Sequence, residues 1–177
     1  MTTKRRIALI STGGTIEKTY DELSGVLANQ ISVLDVMLAS LELRGVEIQR
    51  IQLMNKDSLD MTPDDHTLIA ETAIRMARAA GGVGGVVVVH GTDRLSVSGE
   101  RVVELAGTPA TPIVFTGAIR PYELRSTDAL QNLTEALLAV QLVPPGVYLA
   151  MHNQVLQFPG VRKDRERGTF VKDPAPP

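Results

Sequence analysis

The run Val86-Val87-Val88-Val89 restricts the fold more than any other stretch of the chain. Four consecutive β-branched apolar residues leave neither face of a strand for water, the pattern of a central parallel strand covered on both sides. The motif recurs. Arg6-Ile7-Ala8-Leu9-Ile10-Ser11 reads as a buried strand emptying into the tight turn Thr12-Gly13-Gly14-Thr15. Pro112-Ile113-Val114-Phe115-Thr116 runs into Gly117-Ala118-Ile119-Arg120-Pro121, and Val147-Tyr148-Leu149-Ala150-Met151 supplies another strand. Val46-Glu47-Ile48-Gln49-Arg50-Ile51-Gln52-Leu53 alternates apolar and polar residues, as a half-exposed strand does.

Helical spacing falls between these strands. Ser32 to Leu41 repeats large apolar residues behind a capping serine, and Thr62-Pro63-Asp64-Asp65 opens a helix expected to run to about Ala80. Further helices are expected from Leu95 to Ala106 and from Thr127 to Val140. Gly81-Gly82-Val83-Gly84-Gly85 precedes a strand and lacks both the P-loop lysine and G-x-G-x-x-G spacing, so it reads as a helix stop. Strand and helix alternate five times. The expected fold is α/β, a doubly wound, mostly parallel five-strand sheet in the flavodoxin-like order 2-1-3-4-5. Ligands of open α/β sheets bind outside the carboxyl ends of the strands where the strand order reverses, which puts Thr15 and Thr92-Asp93 on one crevice.

Glu17 to Gly25 has no sustained period and reads as a mobile loop, while Gln154 to Val171 reads as an irregular or hairpin extension. Residues 1–172 are expected to form a single domain and 173–177 a disordered tail. The 177 residues suffice for one self-supporting core. With no cysteine the chain has no disulfide, thiolate metal site or cysteine nucleophile, which makes the cytoplasm the default compartment. A net charge of −2 and 3% aromatic residues argue against nucleic-acid binding. No stretch is long enough to span a bilayer, and the basic start leads into the first strand rather than into a signal peptide.

Two threonines, an aspartate and a lysine near one crevice can make a nucleophilic site without serine, cysteine or metal. A threonine hydroxyl needs a neighbouring base and donors for the developing oxyanion. Lys163 lies in the run Arg162-Lys163-Asp164-Arg165-Glu166-Arg167, where base rates favour a solvated surface lysine over a catalytic one. Tyr20 reads either as part of a lid or as an exposed aromatic, and Ser58 either as a substrate contact or as a turn residue. His66 is expected to be exposed near a helix start; His90 and His152 follow strands, and structural roles are expected for all three. No His/Asp/Glu spacing suggests a metal site. Asn132-Leu133-Thr134 matches a glycosylation sequon but falls inside an expected helix.

Taken together, Thr12-Gly13-Gly14-Thr15-Ile16, His90-Gly91-Thr92-Asp93 and Thr116-Gly117-Ala118-Ile119-Arg120-Pro121, in this order and at strand ends, resemble the bacterial L-asparaginase family up to about Thr169. Because the second α/β domain usual in that family is missing from this sequence, the chain is most similar to the short-chain, single-domain Rhodospirillum-type enzymes. The resemblance implies cofactor-free hydrolysis of L-asparagine to L-aspartate and ammonia, with Thr15 as nucleophile and Tyr20 hydrogen-bonded to it from a lid. It implies further that Thr92, Lys163 and Asp93 form a second catalytic group, with Lys163 tuning the Thr92 hydroxyl. Asp93 would also pair with the substrate α-ammonium, Ser58 would hold the α-carboxylate, and the Ala118 carbonyl would receive the leaving nitrogen.

The resemblance also implies a homo-oligomer, dimer or tetramer. Leu59 stands where the larger enzymes carry a polar residue, and Arg94 where a threonine is usual. The larger enzymes complete each site with an acidic residue from a neighbouring subunit's second domain, so another group must finish the α-amine pocket here. Glutaminase or broader amidohydrolase activity, a non-catalytic amino-acid-binding module and a fragment awaiting a partner stand as alternatives.

Overall fold

A computed structural model describes residues 4–79 and 82–173. In chain order its strands are β1 (Arg5–Gly13), β2 (Thr19–Asp21), β3 (Val26–Ala28), β4 (Val46–Lys56), β5 (Val86–Val89), β6 (Ile113–Thr116), β7 (Val147–Met151), β8 (Gln154–Gln157), β9 (Val161–Asp164) and β10 (Thr169–Lys172). The helices are α1 (Leu34–Ala39), α2 (Pro63–Arg78), α3 (Leu95–Ala106) and α4 (Ala129–Leu142). The central sheet has the order β4-β1-β5-β6-β7-β8. Its first five strands are parallel and in the expected 2-1-3-4-5 order; the difference from the expected five-strand sheet is a sixth strand, β8, running antiparallel on the β7 edge.

The sheet buries both faces, and the alternation of side chains explains the layering. Ala8, Ile10, Val86, Val88, Ile113, Phe115 and Leu149 pack with Ile69 and Ala73 of α2 and Leu95 and Val102 of α3. Ile7, Leu9, Val87, Val89, Val114 and Tyr148 face the opposite way, onto Leu34 and Met37 of α1 and Leu133, Leu137 and Val140 of α4. Helix α2 starts with a reciprocal capping box between Thr62 and Asp65 and with Pro63 in its first turn. It ends at Arg78; the expected end at Ala80, and Gly81 beyond it, lie outside the described residues. Helix α1 is shorter than expected. The Ser32 hydroxyl, instead of capping it tightly, donates to Glu17 at 2.5 Å.

Two irregular segments are ordered. Residues 19–28 form the β2–β3 hairpin rather than a featureless loop: Asp21 accepts hydrogen bonds from Leu23 N (3.0 Å) and Ser24 Oγ (2.5 Å), and Gly25 turns the chain at φ 72°. The expected extension after β7 becomes β8 and the β9–β10 hairpin. Phe158, Val161 and Phe170 are buried in the core beneath α3. Asp173, expected in a disordered tail, donates its N–H to Gly160 O (2.9 Å) and pairs with Arg162 at 2.6 Å; residues 174–177 lie outside the described residues.

A buried polar chain ties both helices of one layer to the end of β5. His90 Nδ1 lies 2.8 Å from Gly91 O, its Nε2 2.8 Å from Ser98 Oγ, and Ser98 Oγ 2.7 Å from His66 Nδ1. A carbonyl only accepts, so His90 Nδ1 carries the proton and Ser98 donates to His90 Nε2 while accepting from His66. His66 is therefore buried, not exposed as its place near a helix start suggests, because it faces α3 across the helix–helix contact. Burial pushes His90 down to about 4, although its bond to Gly91 opposes this.

The unfolded chain takes up a proton near pH 6.5 that folded His90 refuses until about pH 4, so stability falls as pH drops through that window and is unaffected above it. Between pH 6.5 and 5, above the range of most carboxylates, we expect a loss on the order of 2 kcal/mol. Urea unfolding midpoints measured at stepped pH check this; a flat profile there would show that His90 protonates within the fold.

Glycine contacts draw the carboxyl ends of the strands together. Gly14, at φ 82° and ψ −178°, occupies a backbone region that is essentially glycine-only, and a Cβ on it would collide with the Gly91 backbone. A Cβ on Gly91 would in turn lie 2.6 Å from Ser58 Oγ. Gly14→Ala is expected to destabilise the fold by roughly 3 kcal/mol, read as a lowered urea midpoint at unchanged slope.

Candidate active site

Four turns meet at the carboxyl edge of the sheet, after β1, β4, β5 and β6. Strands β1 and β5 are paired neighbours up to Ser11 and Val89, and Thr12 Oγ1 donates to Val89 O at 2.9 Å. The Gly14–Gly91 contact follows immediately, so Thr15 and Thr92 each lie one residue beyond a point where two backbones touch. Thr15 is half-buried and Thr92 is buried. Below Thr15, the buried Glu17 carboxylate accepts Gly13 N (3.1 Å) and the Ser32 hydroxyl, and Asn29 Nδ2 donates to Gly14 O at 2.9 Å. Burial pushes the Glu17 carboxyl up, against the effect of the Ser32 and Gly13 bonds.

Ser58 lies on a single 3-10 turn, residues 58–60, capped by Asp57, whose carboxylate accepts Leu59 N at 3.0 Å. Lys18 reaches Asp57 at 2.6 Å and joins this turn to the Thr15 segment. Burial would raise the Asp57 carboxyl, but Lys18 and the Leu59 amide hold it below its ordinary value. Ser58 Oγ, fully enclosed, accepts Arg94 N at 3.3 Å. The Arg94 side chain turns away toward Met61 O, and Leu59 is 54% exposed.

Lys163 crosses from β9 into this group. Its Nζ lies 2.8 Å from Thr92 Oγ1 and 3.0 Å from Asp93 Oδ1, and its side chain is only 17% exposed. The solvated reading of Lys163 is overturned. What holds it there is the docking of its hairpin: Phe158 packs against Gly99 of α3, and Gly160 N donates to Glu100 Oε1 at 2.6 Å. Arg165 adds a second cation on Asp93, at 3.1 Å.

The turn after β6 carries Ala118, which is buried, and abuts the turn after β5 because Gly117 lies against His90 O and the Thr92 methyl. Asp128 shapes this turn by accepting Ile119 N (3.0 Å) and Arg120 N (2.9 Å), and Asn132 Nδ2 donates to Gly117 O at 2.9 Å. Thr15, Ser58, Thr92, Asp93 and Ala118 are thus gathered on adjoining turns, and Lys163 reaches Thr92 and Asp93 from β9. Tyr20 is not joined to them: it is 59% exposed on β2, whose backbone is held by Glu123 Oε2 at 2.6 Å. Glu17, Asp57, Asp128 and Asn132 escaped the sequence reading. Of these only Glu17 lies near a glycine turn, three residues past Gly14; the other three have no glycine close to them in sequence. Among the described residues no group of three or more His, Cys, Asp or Glu side chains is placed to hold a metal ion, and no helix is long and apolar enough to cross a membrane.

Comparison with known proteins bears on the family and the fold. The chain is 36% identical over 147 residues to a subunit of the glutamyl-tRNA(Gln) amidotransferase of Haloquadratum walsbyi, covering 82% of this chain and 33% of that protein. It is 28% identical over 165 residues to an L-asparaginase of Thermococcus kodakarensis, covering 92% and 49%. The chain therefore spans about a third to a half of the length of these relatives. Among solved structures, the thermostable L-asparaginase from Thermococcus kodakarensis superimposes with a TM-score of 0.85 at 26% identity, over 97% of this chain and 52% of that one. The family model described as asparaginase, N-terminal, matches residues 6–170, and the chain belongs to the asparaginase family, with the fold of that family's N-terminal domain.

Proposed function

We propose that this site hydrolyses the side-chain amide of L-asparagine, giving L-aspartate and ammonia. The observation that carries the reading is the Lys163–Thr92–Asp93 cluster, with Lys163 Nζ 2.8 Å from Thr92 Oγ1, one residue past the backbone contact that also presents Thr15. In this reading the Thr15 hydroxyl oxygen attacks the amide carbon, its proton passes to the departing nitrogen, and the C–N bond breaks to leave an ester on Thr15 and free ammonia. Water then attacks the ester carbon, assisted by Thr92 and Lys163, and returns the proton to Thr15. Ser58 and Asp93 hold the α-carboxylate and α-ammonium, and the Ala118 carbonyl accepts the leaving amide N–H. Tyr20 closes onto Thr15 only if the β2–β3 hairpin moves, since the side chain is exposed in its present position. The cytoplasm and the short-chain type of enzyme belong to the same reading.

A second reading has a specific support: the 36% identity to an amidotransferase component favours amide hydrolysis that serves transfer of the released nitrogen, with glutamine as a competing donor. Ammonia release from L-asparagine and L-glutamine, supplied separately, distinguishes the two. Thr15→Ala is expected to lower kcat by at least about a thousandfold while the protein stays folded; undiminished release would eliminate Thr15 as nucleophile. Lys163→Met is expected to cost roughly a hundred- to ten-thousandfold in kcat, the range of a lost acid–base group, and a loss below tenfold would show that Thr92 works without it.

A further inference from the structure

We infer that His152 is a positioning residue that holds the Ala118 turn and the Lys163 hairpin at one spacing, an inference that rests on the amide-hydrolysis reading of the site. Met151 pairs with Gln154 across the β7–β8 hairpin, so His152 and Asn153 are the two central residues of its turn. Both have positive φ, 54° and 59°. Two successive left-handed residues make the hairpin turn that favours Asn followed by Gly, so asparagine is the side chain best suited to position 152. The backbone of the turn is held independently, with His152 N donating to Asn132 Oδ1 (3.1 Å) and Asn153 N to Glu135 Oε2 (2.8 Å). Turn chemistry does not call for an imidazole here.

What the imidazole does is bridge. Its Nε2 lies 2.7 Å from Asp128 Oδ2 and its Nδ1 3.2 Å from Thr169 Oγ1. Burial would raise the Asp128 carboxyl, but the Ile119 amide, the His152 ring and the Arg120 amide together hold it below its ordinary value. A carboxylate only accepts, so Nε2 carries a proton toward Asp128, while Nδ1 is partnered by the Thr169 hydroxyl. On one side the ring ends at Asp128, which grips the two amides that follow Ala118. On the other it ends at Thr169, which pairs with Asp164, the neighbour of Lys163. The Ala118 carbonyl that accepts the leaving amide N–H and the Lys163 ammonium that assists the attacking water sit on separate elements, and this ring spans them.

The test uses His152→Asn, which suits the turn and removes the bridge, with Thr169→Val and the double variant alongside. His152→Asn should stay folded, its thermal midpoint lowered by no more than about a few degrees, because Asp128 loses one partner but keeps the Ile119, Arg120 and Asn132 donors. Its kcat for ammonia release should fall roughly ten- to a hundredfold, with a smaller rise in KM, because Ser58 lies on another turn while Asp93 is reached by Lys163. The double variant should be no worse than His152→Asn, since both changes cut one bridge. Unchanged kcat in a folded His152→Asn, or a kcat loss that tracks a lowered midpoint, would overturn the inference. If the unchanged protein releases no ammonia from asparagine or glutamine, the hydrolytic reading fails on its own. Amide hydrogen exchange then decides the bridge: faster exchange at Ile119, Arg120 and Lys163 in His152→Asn supports it, and unchanged exchange overturns it.

Discussion

The site depends on two glycine backbones in contact, Gly14 after β1 and Gly91 after β5. These strands are neighbours in a parallel sheet, and their chains leave toward opposite layers, one to α1 and the other to α3. Where such chains diverge a crevice opens. Here it is closed to the width of a backbone, because a methyl group on either glycine would hold the turns apart and push Ser58 away. Thr15 and Thr92 come together as the consequence.

The rest of the edge is shaped by polar side chains, buried at Glu17 and Asp128 and half-buried at Asp57, that accept turn amides. Glu17 takes Gly13 N, Asp57 takes Leu59 N, and Asp128 takes Ile119 N and Arg120 N. Each would cost free energy if left without its partners, so each turn is held in the one conformation that satisfies them. His90 acts in the opposite sense, donating to the Gly91 carbonyl and linking it through Ser98 to α2. Directional bonds of this kind fix where the hydroxyls sit without occupying the crevice themselves.

Much of the architecture is legible in the sequence. The tetravaline strand, the glycine turns and the capping box at Thr62 are local signals, and the sheet order follows from alternation and crossover rules. The failures share a cause. His66 reads as exposed only while its helix is considered without α3, and Lys163 stays open to a solvated reading only while its charged run is considered without the hairpin that docks it. The β2–β3 hairpin has little local signal because Asp21 and Gly25 make its turn, while its strands are three residues long and half polar. Asp128 and His152 carry no sequence signal for these roles, since the partners that tie them to the site lie 8 to 24 residues away.

By itself the sequence determined the five parallel strands, the helices between them and the glycine turns that follow the strands, because these follow from side-chain period and backbone freedom over a few residues. Only the tertiary structure decided that Lys163 meets Thr92, that Asp128 grips the turn after Ala118, and that His152 joins the two. Those contacts join residues up to 71 positions apart. Side-chain packing in three dimensions sets which of many possible hydrogen-bond partners a polar group finds, and no local pattern encodes that choice.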